Sequence, residues 1–245
     1  MGQFYSDGVD QFYTGANNYA PFMFAKVPYD VKRDLAPITE VTSFSLVYAV
    51  HSSVPANDLK SFIAWARSNK GKVVYGSFGV GSPSHLANAF FDKQNDLDMA
   101  HTAYKGEAPL VQDLLGGHVA AGITTFGTIR PYVADGRMRV LAVLGAARLA
   151  DLPNVPTMAE AGFKDPEYMP VSGHSLLAPA GTPASVLARL EKEALAAMQT
   201  TGFKARLQVF NAEGAGKGSV DFLRNLDTRP PVIKRLITAA GVTVQ

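Results

Sequence analysis

Short β-rich runs separated by capped amphipathic helices recur along this chain, and that alternation confines it to α/β architectures with largely parallel sheets. The runs lie at Asp10–Gly15, Ser45–Val50, Val73–Ser77, Met99–Ala103, Val119–Thr124, Arg139–Gly145 and Gly173–Ala178. Helix starts stand between them. Asn57 reads as the cap of a helix with Leu59, Phe62, Ile63 and Ala66 on one face, ended by Gly71. Ser82-Pro83 and Thr182-Pro183 each put a hydroxyl ahead of a proline at the first helical position, where a missing N–H does no harm. Thr157 and Glu160 have capping-box spacing. Beyond Pro183 the pattern reads as mainly helical, and Asp151 to Pro170, rich in proline, reads as a surface connection.

A chain of 245 residues can bury a full core in one domain or two lobes. The 23 basic and 21 acidic residues mix locally to a formal charge of +2, and no basic stripe interleaves with aromatics, so nucleic acid is not a partner this sequence suggests. With no cysteine, disulfides and thiolate metal sites are excluded. His51, His85, His101, His118 and His174 lack any paired metal spacing, so neither metal nor cofactor is expected. The apolar stretches stop short of the ~18 residues a membrane span requires. Met1 leads straight into Gly2-Gln3-Phe4-Tyr5-Ser6-Asp7, with no export signal in view.

The richest stretch for chemistry is Tyr75-Gly76-Ser77-Phe78-Gly79-Val80-Gly81-Ser82-Pro83-Ser84-His85. A strand enters a glycine turn and a capped helix leaves it, which aims free N–H groups and the positive helix end at one spot. No Gly-Lys-Ser/Thr follows, and the third glycine of a dinucleotide turn is missing, so a carboxylate suits the turn as well as a phosphate; a plain strand-to-helix connection is the bland alternative. In His101-Thr102-Ala103-Tyr104-Lys105-Gly106, Lys105 could attract an anion and Tyr104 donate to one, against solvation and packing as their ordinary roles. A hydrolase built on Ser82 and His85 lacks both the Gly-x-Ser-x-Gly elbow and an orienting aspartate.

Taken in order, several blocks resemble the periplasmic solute receptors of tripartite tricarboxylate transporters, the Bug family. They are Val27-Pro28-Tyr29-Asp30, Asp34-Leu35-Ala36-Pro37-Ile38-Thr39, Ser77 to His85, His101 to Gly106, Asp113-Leu114-Leu115-Gly116-Gly117-His118-Val119, Leu152 to Gly162 and Leu177 to Pro183. The resemblance implies a two-lobed type II periplasmic-binding fold that closes over a small carboxylate and is read by integral membrane transporter subunits. It places the first lobe at residues 1–50 plus 172–245 and the second at 51–171. Carried over by position, ligand contacts would be Asn17, Ser82, His85, Ala103, Tyr104, Thr124, Thr125 and Ser172, with Gly173 near a hinge. The implied protein is a receptor and not an enzyme.

Three departures from the family pattern stand out. The family's export signal, opening strand and Gly-Gly loop are not present, and Met1–Val9 looks like a short substitute. An incomplete first lobe would expose unpaired edges, so a truncated or vestigial receptor, weaker binding and self-association are also expected from it. Where the family often has an acidic or Asn-bearing turn, this chain reads Ile123-Thr124-Thr125-Phe126. Arg229-Pro230-Pro231 predicts a helix break.

Overall fold

The computed structural model describes residues 11–14, 20–24, 26–27, 29–44, 46–169, 173–209 and 212–243. Along the chain run β1 (Gln11–Thr14), the single turns α1 (Ala20–Met23) and α2 (Val31–Asp34), β2 (Leu35–Ser43), β3 (Leu46–His51), α3 (Leu59–Ser68), β4 (Val74–Ser77) and α4 (Pro83–Asn95). Next come β5 (Ala100–Ala103), α5 (Glu107–Leu115), β6 (Ala121–Thr125), α6 (Phe126–Ala134), β7 (Met138–Leu144) and a short 3-10 turn at Pro166–Tyr168. The remainder is β8 (Gly173–Pro179), α7 (Ala184–Met198), α8 (Thr201–Val209), β9 (Glu213–Gly218), α9 (Ser219–Thr228) and α10 (Pro230–Ala239).

These elements form two compact units, Met1–Phe44 with Val171–Pro231 and Val244–Gln245, and Ser45–Pro170 with Val232–Thr243. The division falls earlier than residue 50 because β3 lies inside the second unit's sheet, paired with β6 and β7. Residues 232–243 also join the second unit rather than the first. There the Arg235 guanidinium pairs with Glu167, whose side chain is 2% exposed.

The first unit holds a four-stranded sheet in the order β1-β8-β2-β9, antiparallel throughout. Its apolar centre is Leu35, Leu177, Phe222 and Leu226, with Val31 packed on it. β2 is invisible to a period-2 reading because Pro37, in a strand flanked on both sides, removes a ladder donor. The register shift between Pro37 and Thr39 accommodates it. β9, Glu-Gly-Ala-Gly-Lys-Gly, reads as loop, so the chain after Pro183 is not purely helical. Gly218 admits the carboxylate of Glu191, which accepts from the Ser219 amide at 2.7 Å and so caps α9. The expected break does fall between α9 and α10, where Pro230 and Pro231 supply no amide protons.

The second unit holds a five-stranded sheet in the order β5-β4-β6-β3-β7. Parallel pairing is confined to β5-β4-β6, so the expectation of largely parallel sheets holds only there. β3, Leu-Val-Tyr-Ala-Val-His, is buried on both faces through Val50, as a central strand covered on each side must be. On one face Tyr48, Phe62 and Phe91 interlock, with ring centroids 5.3 Å (Tyr48–Phe62) and 5.0 Å (Tyr48–Phe91) apart, and Phe163 and Tyr168 close the cluster. Each such ring contributes about 2–3 kcal/mol of burial. On the other, Leu110, Leu114, Phe126 and Ile129 pack against Val47 and Ala49.

Local capping corrects several sequence expectations. Asp58, not Asn57, caps α3: its carboxylate accepts from the Ser61 amide at 2.7 Å, and the Ser61 hydroxyl accepts in return from the Asp58 amide at 3.2 Å. Thr182 makes no cap, since α7 begins after Pro183 without a side-chain hydrogen bond. Thr157 and Glu160 do exchange bonds, at 2.8 and 3.1 Å, but around a turn rather than a helix. That turn belongs to the core. Met158 and Tyr168 are buried and Val143 bridges to Thr157, so Asp151–Pro170 is more than a surface connection.

Candidate ligand-binding site

β4, β5 and β6 run parallel and adjacent, and each feeds a helix at its carboxyl end: α4, α5 and α6. The helix starts therefore gather along one edge of the sheet, where open α/β sheets place their ligands. Gly76 permits the close packing behind this edge. A Cβ there would lie 2.3 Å from Leu110 Cδ1 and 2.9 Å from Tyr104 Cε2. Backbone bonds tie the first two turns together, from the Tyr104 amide to the Ser77 carbonyl at 3.0 Å and from the Gly106 amide to the Phe78 carbonyl at 3.1 Å.

At the start of α4, the Ser82 hydroxyl accepts from the His85 amide at 3.2 Å, and Pro83 follows at the first helical position. Gly79 and Gly81, at φ 138° and 76°, give the turn the left-handed backbone it needs. The Gly81 amide donates to His85 Nδ1 at 3.0 Å, which fixes Nδ1 as an acceptor and leaves the proton of the neutral ring on Nε2. His85 stacks on His101 at 4.0 Å between centroids, and His101 stacks on Tyr75 at 4.9 Å. Burial, then the neighbouring His101, pull the His85 pKa down from 6.5 to about 4. Burial also lowers that of His101, whose Nε2 lies 2.7 Å from the Ser77 hydroxyl. His85 is thus a neutral donor through Nε2–H. Among the described residues, neither that group nor the Ser82 hydroxyl proton has an acceptor.

This geometry does not build a hydrolase. Ser82 Oγ meets the main chain of His85 and not its ring, and His85 Nδ1 is held by an amide rather than by a carboxylate. Ser77 and His101 do form a hydroxyl–imidazole pair, but Ser77 is fully buried.

At the second and third turns the polar side chains serve one another. Tyr104 donates its hydroxyl to Asp113 at 2.6 Å; burial first, and then that bond, push its pKa up to about 12. Lys105 is exposed. The Glu107 carboxylate accepts from the Thr125 amide at 2.6 Å, from the Thr125 hydroxyl at 2.7 Å and from the Thr124 hydroxyl. The Thr128 hydroxyl adds a bond at 3.2 Å.

Of the residues singled out by sequence, Ser82, His85, Ala103, Tyr104, Thr124 and Thr125 all stand along this one edge. Ala103 ends β5 exposed, opposite Ser77 in register. Asn17 and Ser172 lie outside the described residues, as does Met1–Val9. Sequence reasoning missed Ser77, Glu107 and Asp113. The available signal for Glu107 was a run of hydroxyls, Thr124, Thr125 and Thr128, that needs an acceptor at a helix start.

Two α/β units, one gathering helix starts on the carboxyl edge of three parallel strands, mark the chain as having the fold of the periplasmic binding proteins. Similarity to known proteins narrows this. The chain belongs to the tripartite tricarboxylate transporter family receptors, whose sequence profile matches residues 8–242. BugT of Bordetella pertussis (strain Tohama I) is 32% identical over 193 residues, which cover 79% of this chain and 58% of BugT. The chain thus spans less than two thirds of that relative's length. Among solved structures, R. palustris Rpa4515 with adipate superposes with a TM-score of 0.79 at 26% identity, over 96% of this chain and 78% of that one. A structure described as a periplasmic transporter gives 0.80 at 27% identity with the same coverage. No helix among the described residues is long and apolar enough to cross a membrane.

Proposed function

We propose that this chain is the solute-capturing receptor of a tripartite tricarboxylate-type transporter, working in the periplasm and handing a small organic carboxylate to integral membrane subunits. The observation that carries the reading is the start of α4. The Ser82 hydroxyl and His85 Nε2–H are donors without acceptors among the described residues, at the positive end of a thirteen-residue helix. A carboxylate is the group that takes two such donors at once. The solved relative with adipate supports that ligand class. Ala103 and Tyr104 line the neighbouring turn and would bound the ligand's carbon chain.

Thermal unfolding against a panel of mono-, di- and tricarboxylates tests the reading. A ligand at ~100 times its dissociation constant stabilises the folded state by about 2.7 kcal/mol. Ser82→Ala removes one donor and should weaken binding of the active ligand by about tenfold. A panel without any shift, or a ligand bound equally by Ser82→Ala, would sink it.

A further inference from the structure

Away from the edge where α4, α5 and α6 begin, the second unit carries a cavity of about 440 Å³ between the last turns of α4 and one face of α10. The residues lining it all belong to the second unit. Lys93 and Gln94 stand one turn beyond Phe90 on α4, and Thr238 and Ala239 stand one turn beyond Lys234 and Arg235 on α10. Three cations therefore line the cavity, and among the described residues no carboxylate does. The nearby acids are spent elsewhere. Asp92 accepts from the Met99 amide at 2.9 Å, Asp165 accepts from the Gln94 side chain at 2.8 Å, and the buried Glu167 takes only Nε of Arg235. Arg235 keeps 53% of its side chain exposed, and Lys93 enters no ion pair among the described residues.

A lysine in the last turn of α4 suits that helix's negative end, which is the ordinary explanation of Lys93. It does not explain why α10, which carries no acid, sets Lys234 and Arg235 across the same cavity. Between the cations the lining is apolar. Phe90 is half-buried with its ring 5.4 Å from that of Tyr168, and Ala239 is half-buried beside it. The walls are held in place, because the Tyr168 hydroxyl donates to Gln94 at 2.5 Å and Arg235 is tied to Glu167. A preformed concavity of this size, with an apolar floor and charges at its rim, has the features of a small-molecule site.

We propose that the groove between α4 and α10 is a second binding site, and that it takes a small aromatic polyanion. The ring lies on Phe90 and Ala239, while acid groups meet Lys93 on one wall and Lys234 and Arg235 on the other. A cation on each wall calls for at least two acid groups, and an anion relieves the repulsion among three like charges. The site is separate from the start of α4 and does not rest on the reading of that helix as the receptor's ligand site.

Trimesate, an aromatic tricarboxylate, is the probe. Benzoate, with a single charge, and tricarballylate, with three carboxylates and no ring, are the controls. Affinities are measured by calorimetry on wild type, Lys93→Glu, Thr238→Trp and Ser82→Ala. Lys93 and Thr238 are both exposed, so neither change disturbs a packed residue. Wild type should bind trimesate about tenfold tighter than either control. Lys93→Glu, which reverses one charge, and Thr238→Trp, which fills the groove, should each weaken trimesate by about tenfold or more, and Ser82→Ala should leave it unchanged. No binding of trimesate to wild type, or equal affinity in Lys93→Glu and Thr238→Trp, overturns the inference. A loss confined to Ser82→Ala overturns it too, by placing the acid at α4, and leaves the receptor reading standing. A peptide of alternating Glu and Leu that binds wild type but not Lys93→Glu, where trimesate binds neither, would assign the groove to a protein partner instead.

Discussion

Lowering the pH from about 8 to about 5 protonates the histidines of an unfolded chain, but the His85–His101 stack resists the same change. His85 is 5% exposed, lies against His101 at 4.0 Å, and has Nδ1 occupied by the Gly81 amide. Protonation would set an N–H against an N–H and place two cations face to face once His101 followed. The folded pKa, about 4, lies below the ordinary 6.5, so the unfolded state binds the proton first. Stability is therefore intact above 6.5 and is lost as the pH falls from there through about 4. At pH 5 the full shift would cost about 2 kcal/mol, and solvent reaching the ring edge reduces this to about 1–2 kcal/mol. Trp65, the single tryptophan, packs beside Phe62 in the same unit, so its fluorescence during urea unfolding reports on the right part of the chain. His85→Asn keeps an acceptor near the Nδ1 position without a titrating group. That variant should lose about 1–2 kcal/mol less than wild type between pH 8 and pH 5. An identical loss in both proteins would refute the argument, whatever their stabilities at pH 8.

Three further outcomes follow from single contacts. Arg235→Ala leaves the buried Glu167 carboxylate without its cation and should lower urea stability of the second unit by about 2–4 kcal/mol; a loss under about 0.5 kcal/mol would show that residues 232–243 are not held there by this pair. Gly173→Ala forces a Cβ to 2.0 Å from the Thr42 carbonyl oxygen at φ 154°, so the first unit should lose at least about 2 kcal/mol in calorimetric unfolding, and a neutral result would contradict the β2–β8 register at Ser43. Tyr48→Phe deletes a buried hydroxyl that has no partner among the described residues and should be neutral or stabilising by about 1 kcal/mol by tryptophan-monitored urea unfolding; a loss would mean that the hydroxyl is satisfied by water.

The second unit was legible in sequence because its signals are local. β3 is an unbroken apolar run, and α3 and α4 announce themselves through the apolar face of Leu59, Phe62 and Ala66 and through Ser82-Pro83. The first unit hid its sheet for equally physical reasons. β2 carries Pro37 and two register shifts, and β9 is mostly glycine, so neither shows the alternation that marks a half-buried strand. Both owe their strand state to the partners beside them, β8 for β2 and β2 for β9, and tertiary pairing of this kind leaves no trace in a short window.

The site divides along the same line. The turn before α4 could be found from spacing alone, because its cap and its glycines act within one stretch of chain. What happens at α6 could not, because the acceptor for Thr124 and Thr125 comes from Glu107, across a helix and a strand. Read as isolated hydroxyls, those threonines look like ligand donors; read with Glu107, they are already spent on an anion the protein carries itself. Two helix starts on one sheet edge thus differ: at α6 the cap residue's amide and the threonine hydroxyls go to Glu107, whereas at α4 the Ser82 hydroxyl proton and His85 Nε2–H have no acceptor among the described residues. Which donors such an edge can offer a ligand depends on which of them the chain's own carboxylates leave free, as well as on which it possesses.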